Sequence, residues 1–247
     1  MAGRARRDVT ADLVARGIVA KVLSHALADP DDGTREYLKG RAVADLERAS
    51  GLVSTRSRLR TAMDGLRDAL STIDGREATA MFAAAGAPPY ETEYGMAHVF
   101  MKVQTMADVA GFYRGFGLAP AEDARERPDH LAAEIEFLHF LLLHEAMART
   151  QGRQEEAKVS RRARTTFLRE HLGAWGPAYL EKVAGTDPRS PAARIARIAA
   201  RFLRAEAHRV RAAVTTAPPV LNPQPSPEQE RALCEPASRA PAPASPP

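Results

Sequence analysis

Apolar side chains recur every three or four residues along most of the chain, which is the spacing that places them on one face of an α-helix. The pattern is clearest over residues 9–23, 59–70 and 195–203. No segment alternates strictly between apolar and polar residues, as a half-buried strand does. The pattern therefore predicts an all-α protein, a single-domain bundle of roughly ten helices.

The pattern changes near residue 217. Ten of the 18 prolines lie in the last thirty residues, which end in Ala, Ser and Pro. Such a composition offers too little apolar surface to offset the entropy lost on ordering. We predict two parts: an all-helical domain over residues 1–216 and a Pro/Ala-rich disordered tail over residues 217–247.

One helix, "RPDHLAAEIEFLHFLLLHEA" (127–146), combines three histidines and four acidic residues with a long apolar stretch. Pro128 suits the first turn of a helix. On a helical wheel, His130, Glu134 and His144 share a stripe with apolar residues. Because the segment is apolar around most of its circumference, it is predicted to run through the centre of the domain.

Composition and charge argue for helices and only weakly for a nucleic-acid partner. Hydrophobic residues make up 45% of the chain and aromatic residues 6%, and the net charge is +4. Arg161, Arg162 and Arg164 could contact phosphates, yet no recognisable DNA-binding motif accompanies them. We therefore expect no nucleic-acid partner.

Cysteine usage and hydropathy exclude several further classes. Cys234 is the only cysteine, so disulfides within the chain, iron–sulfur clusters and cysteine zinc sites are excluded. No stretch has the 18 to 20 uncharged apolar residues of a membrane span. Arg6 and Arg7 are followed by no apolar run with a cleavage site, so no export signal is predicted. We expect a cytoplasmic protein without stable membrane insertion.

Motifs of catalysis are sparse. "EFLH", from Glu136 to His139, is one Glu-x-x-His step of the kind that di-iron bundles use in pairs, but no second step occurs. There is no HExxH, no G-x-S-x-G and no phosphate loop. We predict no catalytic residue, no metal and no cofactor. A helical metal-binding or redox enzyme using Glu134, Glu136, His139 and His144 stays open as the alternative.

Three spaced motifs carry a family resemblance. "YETEYG" (90–95) is followed by "ADVAGFYRGFGL" (107–118) and then by "ERPDHLAAEIEFLHFLL" (126–142). This ordered set resembles the TorD/DmsD/NarJ family of molybdoenzyme-maturation chaperones. The Pro-Asp-His-Leu-x-x-Glu core, residues 128–134, is the most specific part of the likeness.

The resemblance implies a dedicated chaperone rather than an enzyme. Members of the family bind the apo catalytic subunit of a DMSO-reductase-family molybdoenzyme, or its twin-arginine leader. They assist insertion of the molybdenum cofactor and delay export until assembly is complete. The resemblance also implies a monomer or a domain-swapped dimer. Guanine nucleotide is bound by some members, whereas the client alone holds the molybdenum cofactor. The motifs look most like those of members that serve periplasmic type II enzymes.

A receptor for a cationic leader needs carboxylates beside an apolar groove with an aromatic floor. Several alternatives stay open. Asp129 could only terminate a helix, and His130 could be a capping or core histidine satisfied by a carboxylate such as Glu134. Phe112 and Phe116 could belong to the core, and Glu91 and Glu93 could be solvated surface. The predicted client-binding residues are Asp129, His130, Glu134, Tyr90, Glu91, Glu93, Tyr94 and Tyr113.

Overall fold

The computed structural model describes residues 2–29, 31–73, 82, 85–94, 99–119 and 126–214. Its elements are helices, with a single isolated β-bridge between Tyr90 and His130. The α-helices are α1 (Ala2–Ala26), α2 (Asp32–Ser50), α3 (Arg58–Leu70), α4 (Val99–Gly115), α5 (Leu131–Thr150), α6 (Gln154–Glu170), α7 (Leu172–Ala184) and α8 (Pro191–Arg209), and a 3₁₀ turn spans Glu91–Glu93.

The all-α prediction is confirmed, although the described part of the chain holds eight α-helices rather than roughly ten. The predicted tail over 217–247, with Cys234, lies outside the described residues. The division at residue 217 therefore stays a prediction.

Helix α5 runs through the core, as its apolar circumference predicted. Leu131, Ile135, Leu138 and Leu142 are completely buried. Helix α1 packs along one side of α5, and α6 and α7 pack against others. Burial of one such side chain contributes about 1.5–3 kcal/mol. The residues at the start of α5 are therefore fixed in position by the packed core of the bundle.

The start of α5 differs from the prediction. Pro128 lies in the preceding turn, and the first helical residue is Leu131. His130 is the N-cap residue, because its Nδ1 accepts a hydrogen bond of 3.1 Å from the backbone N–H of Ala132. A cap of this kind satisfies one of the free N–H groups of the first turn. Capping by His130 thus sets the helix boundary three residues later than a proline-led start.

Helices α6 and α7 meet at a sharp corner that consists of His171 alone. Just beyond it, a Cβ on Gly173 would overlap the carbonyl oxygen of Leu168. Only glycine leaves room for this close approach. The corner directs His171 and the first turns of α7 towards the start of α5.

A buried charge network ties four helices together. Arg16 of α1 pairs with Glu206 of α8 at 3.3 Å, and Arg164 of α6 lies 3.7 Å from the same carboxylate. Arg164 also donates a hydrogen bond of 2.7 Å to Glu145 of α5. All four side chains are at most 6% exposed. Removing one partner from such a network leaves a buried charge without compensation.

None of the described helices combines the length and the apolarity needed to cross a bilayer.

Candidate functional site

Three segments distant in sequence converge at the start of α5. The backbone N–H of Leu131 donates to the carbonyl of Pro89 at 2.8 Å, and that of Glu91 donates to the carbonyl of Asp129 at 2.9 Å. These bonds hold the segment before the 3₁₀ turn antiparallel to the turn before α5. The first turns of α7 complete the cluster. We call the following set the polar hub: Tyr90, Glu91, Thr92, Glu93, Arg127, Asp129, Glu134, His171 and Trp175.

Among the carboxylates of the polar hub, that of Asp129 accepts the most hydrogen bonds from the described residues. Its carboxylate is completely buried and accepts hydrogen bonds from the Nε and Nη2 of Arg127 at 3.0 and 2.8 Å. The backbone N–H and Oγ1 of Thr92 donate two more, at 3.2 and 2.7 Å. Burial opposes ionisation of Asp129, but the bonds from Arg127 and Thr92 outweigh it, and the pKa of this carboxyl lies below its ordinary value. Asp129 is therefore an anion held by the chain's own groups.

Arg127 lies in a cradle of acidic and aromatic groups. Besides Asp129, it donates to the Oγ1 of Thr92 at 2.7 Å and to the Oε1 of Glu93 at 3.3 Å. Its guanidinium carbon stands 4.2 Å above the centre of the Tyr90 ring, a cation–π geometry. The Arg127 side chain is 42% exposed. These groups together match the planar fork of a guanidinium.

His130 serves the backbone rather than a charge. Its Nδ1 accepts the capping bond, so the remaining proton of the neutral ring is on Nε2, which lies 3.9 Å from the Oε2 of Glu126. The ring meets that of Tyr90 edge to face, with centroids 5.2 Å apart. Burial lowers the pKa of His130 below its ordinary value, against the opposing effect of Glu126. A neutral ring is what the cap requires, because a protonated Nδ1 cannot accept.

Glu134 lies deepest in the polar hub. Its Oε2 accepts a hydrogen bond of 3.3 Å from the Nε1 of Trp175, while its Oε1 receives none from the described residues. Burial, followed by the charge of Glu91, raises the pKa of Glu134 well above its ordinary value. The buried site therefore favours the protonated form of Glu134 more than water does.

Glu91 lies between Glu134 and His171. The Nδ1 of His171 is 3.2 and 3.1 Å from the two carboxylate oxygens of Glu91. Burial raises the pKa of Glu91, and the bond with His171 opposes that rise. His171, at the corner between α6 and α7, is thus paired with Glu91 of the 3₁₀ turn, and the charge of Glu91 acts on Glu134 in the first turn of α5.

The tyrosines of the first two motifs hold the turns of the site in place. The Tyr113 hydroxyl donates to the carbonyl of Pro128 at 2.7 Å, and the Tyr94 hydroxyl donates to the carbonyl of Pro88 at 2.7 Å. Burial raises the pKa of both hydroxyls. The Tyr94 ring stacks on Trp175 at 5.7 Å. The hydroxyl of Tyr90 donates to Glu126 at 2.6 Å.

The structure brings all eight predicted residues to one end of α5. Their carboxylates are engaged with the chain itself: Asp129 with Arg127, Glu91 with His171, and Glu93 with both Arg127 and Lys102, the latter at 2.9 Å. Contact between these residues and a client stays a prediction. Phe112 and Phe116 pack edge to face on Phe137, in line with the core alternative.

Sequence reasoning missed four members of the polar hub: Thr92, Arg127, His171 and Trp175. Arg127 directly precedes the Pro-Asp-His core, so its place in the motif was a usable signal. His171 lies 80 residues from its partner Glu91, and Trp175 lies 41 residues from its partner Glu134. The sharp corner between α6 and α7 is what brings these two residues to the start of α5.

The four residues of the metal alternative point in different directions. Glu134 faces Trp175, whereas Glu136 is exposed to solvent. The Nδ1 of His139 lies 2.8 Å from the carbonyl of Gly17, and that of His144 lies 2.7 Å from the hydroxyl of Ser160. Among the described residues, no three metal-ligating side chains converge. The geometry gives this alternative no support.

The three arginines considered for nucleic-acid binding do not lie on one exposed surface. Arg164 is buried in its pairs with Glu145 and Glu206. Arg161 and Arg162 are exposed and line an open depression on α6 with Lys158 and Arg169. That depression is formed by the residues of one helix, and it lies outside the polar hub.

A known protein family matches the part of the chain that contains the polar hub. The family model described as "Nitrate reductase delta subunit" matches residues 57–181, just over half of the chain. All residues of the polar hub fall inside that match. The chain is 42% identical over 82 residues to the selenate reductase assembly chaperone protein of Thauera selenatis, and 37% identical over 82 residues to the chlorate reductase assembly chaperone protein of Ideonella dechloratans. It is 26% identical over 141 residues to the chaperone protein TorD of Vibrio parahaemolyticus.

These matches cover parts of the proteins compared. The first two span 33% of this chain and 42% of each relative, and the third spans 52% of this chain and 64% of its relative. The chain thus matches less than half the length of the selenate and chlorate relatives. No solved structure matches the chain significantly.

Proposed function

Because the chain belongs to the nitrate reductase delta subunit family, the family of NarJ and TorD, we propose that it is a dedicated assembly chaperone of a molybdenum-containing reductase. The resemblance seen in its three motifs is confirmed by this membership. The relatives named above are assembly chaperones rather than enzymes, which agrees with the expectation of a protein without catalytic residues.

The proposed client is the apo catalytic subunit of a DMSO-reductase-family enzyme, its twin-arginine leader, or both. Bound in the cytoplasm, the client would be held open for insertion of its molybdenum cofactor and kept from export until then. In this scheme the chaperone contributes binding surface and carries no cofactor of its own. The selenate and chlorate relatives favour a client that reduces an oxyanion.

The observation that carries this proposal is the cradle of the polar hub, meaning the acidic and aromatic groups that surround the guanidinium of Arg127. Asp129, Glu93 and the ring of Tyr90 surround a guanidinium, and they lie at the end of the family's central helix. Paired carboxylates with an aromatic face are the chemistry that recognises arginine in a peptide. A leader with adjacent arginines presents that group, so the geometry and the family membership support the same role.

The test is recovery of the client from cells that express it. The tagged chain is purified from its native cells under conditions that induce a molybdenum-containing reductase, and bound proteins are identified by mass spectrometry. We expect the catalytic subunit of that reductase to be recovered. A second purification compares the subunit with and without its leader, and separates binding of the leader from binding of the mature apoenzyme.

Two variants locate the contact. Glu93→Gln removes one carboxylate of the cradle while keeping its shape, and we expect it to recover less client. Glu47→Gln removes a carboxylate that is 60% exposed and distant from the polar hub, and we expect it to match wild type. If wild type recovers no catalytic subunit of a molybdenum-containing reductase from cells shown to produce one, the chaperone proposal is wrong.

A further inference from the structure

The cradle described above already contains an arginine, and that arginine belongs to the chain. Arg127 forms two bonds with the carboxylate of Asp129, one with Thr92 and one with Glu93, and it lies over the ring of Tyr90. This arrangement uses both edges and one face of the guanidinium. Such a complete set of partners is what a site selective for arginine would offer to an external ligand.

We propose that Arg127 is an internal occupant of an exchangeable arginine site, which an arginine side chain of the client displaces. The proposal rests on the proposed function, since it names what regulates client binding at the same place. The carboxylate of Asp129 is paired both before and after the exchange, because one guanidinium replaces another.

The walls of the site do not depend on Arg127. The bonds from Leu131 to Pro89 and from Glu91 to Asp129 connect main-chain atoms, and Thr92 donates to Asp129 through its own N–H and hydroxyl. The carboxylate of Asp129 is additionally anchored at the start of the buried helix α5. An arginine that left this site would therefore leave a formed cavity with a negative charge at its base.

The occupant is the accessible part of the arrangement. Arg127 is 42% exposed, whereas the Asp129 side chain that it covers is completely buried. A long side chain exposed to this degree can rotate into water, where its charge is well solvated. The path from solvent to Asp129 thus opens when Arg127 moves, without a change in the backbone.

Self-occupancy has a measurable consequence for affinity. A client that needs the site empty binds with an apparent dissociation constant raised by the reciprocal of the empty fraction. If Arg127 occupies the site about nine-tenths of the time or more, its removal strengthens client binding by roughly tenfold or more. Without Arg127, the carboxylate of Asp129 would be open to any arginine side chain. Arg127 therefore also keeps arginines other than that of the client out of the site.

The first experiment tests the site without any client. Full-length Arg127→Ala is heated with N-ethylguanidinium chloride or with propylammonium chloride at equal millimolar concentration, and its melting temperature is recorded. We expect N-ethylguanidinium to raise the melting temperature of Arg127→Ala while propylammonium has little effect. Wild type and Arg194→Ala, which lacks an exposed arginine paired with Asp68, should not respond. Equal responses of all variants would overturn the proposal.

The second experiment measures exchange with the client identified as described above. Its dissociation constant is compared for wild type, Arg127→Ala and Arg194→Ala, with Arg127→Lys as a variant that keeps a charge but loses the fork. Tighter binding by Arg127→Ala alone, with Arg127→Lys between it and wild type, supports the proposal. Equal binding by wild type and Arg127→Ala overturns it while leaving the chaperone function intact. Absence of binding by wild type would instead overturn the chaperone function, and this inference with it.

Discussion

The indole Nε1 of Trp175 donates a buried hydrogen bond of 3.3 Å to the Oε2 of Glu134, which joins α7 to the first turn of α5. Glu134 is the last residue of the Pro-Asp-His-Leu-x-x-Glu motif. Burial, followed by the charge of Glu91, raises the pKa of Glu134 well above its ordinary value. The fold therefore favours the protonated form of an acidic residue of the motif.

The raised pKa of Glu134 predicts how stability changes with pH. A folded-state pKa above the unfolded value of about 4.5 means that the folded state binds the proton more tightly, so stability falls as the pH rises above that value. Glu134→Gln has no proton to lose and keeps an acceptor for Trp175. We expect the free energy of unfolding of Glu134→Gln to increase relative to that of wild type as the pH rises from 4.5 to neutrality, so that the variant gains in relative stability.

Urea unfolding at several pH values measures this difference. Glu136→Gln serves as the matched control, because Glu136 is on the same helix but exposed to solvent. A difference in unfolding free energy between Glu134→Gln and wild type that is constant over that pH range would contradict a raised pKa of Glu134.

Asp129 predicts the opposite pH dependence. Its pKa lies below the ordinary value of 3.8, so the stability supplied by its ionised form is present above that value and is lost as the pH falls through the folded pKa. Asp129→Asn weakens the bonds from Arg127 and Thr92. We expect it to lower the free energy of unfolding by about 1–3 kcal/mol at neutral pH, and by less below pH 3.8. Urea unfolding followed by circular dichroism, at neutral pH and below pH 3.8, measures the loss at both pH values.

His130 is predicted to act mainly as a helix cap. His130→Ala removes the acceptor for the N–H of Ala132 and should cost about 1 kcal/mol or more, whereas His130→Asn supplies a side-chain oxygen in its place and should cost less. Thermal unfolding at neutral pH compares the two. His208→Ala, at an exposed position of α8, is the control and should change little. An Asn variant as unstable as the Ala variant would show that ring contacts with Tyr90, rather than the cap, dominate.

Glu206 should matter far more than an ion-paired glutamate on the surface. Glu206→Ala leaves Arg16 without its buried partner and Arg164 with Glu145 alone, and we expect a loss of about 3–5 kcal/mol. Glu181→Ala breaks an exposed pair with Arg204 and should cost about 0–1 kcal/mol. Urea unfolding of the two variants under the same conditions provides the comparison. Equal losses would mean that the buried network contributes no more than a surface pair.

Helical periodicity was enough to predict the architecture, because each helix carries its own apolar stripe. The central place of α5 followed from its apolar circumference, and its motif pointed to the region of the polar hub. The pairing of that region's charges was not predictable in the same way. Asp129 meets Thr92 across 37 residues and Glu91 meets His171 across 80, and contacts at such separations leave no periodic trace in a sequence.

The start of α5 shows a second limit of local patterns. Pro128 suits a first helical turn, and the sequence alone favoured a helix beginning there. The carbonyl of Pro128 instead accepts from Tyr113 of α4, and His130 caps the helix two residues later. A tertiary contact therefore outweighed a local preference, as it does where a turn is held by a neighbouring helix.

The buried pair of Arg16 and Glu206 also bears on how the chain is made. Its members are 190 residues apart, and a ribosome that adds 5 to 20 residues per second separates their synthesis by roughly ten to forty seconds. During that interval Arg16 has only the partly exposed Asp12 of its own helix as a counter-charge. Its buried pair with Glu206 forms only after α8 has been synthesised. A nascent chain interrupted before α8 would remain recognisable as unfinished to the proteases that survey new proteins.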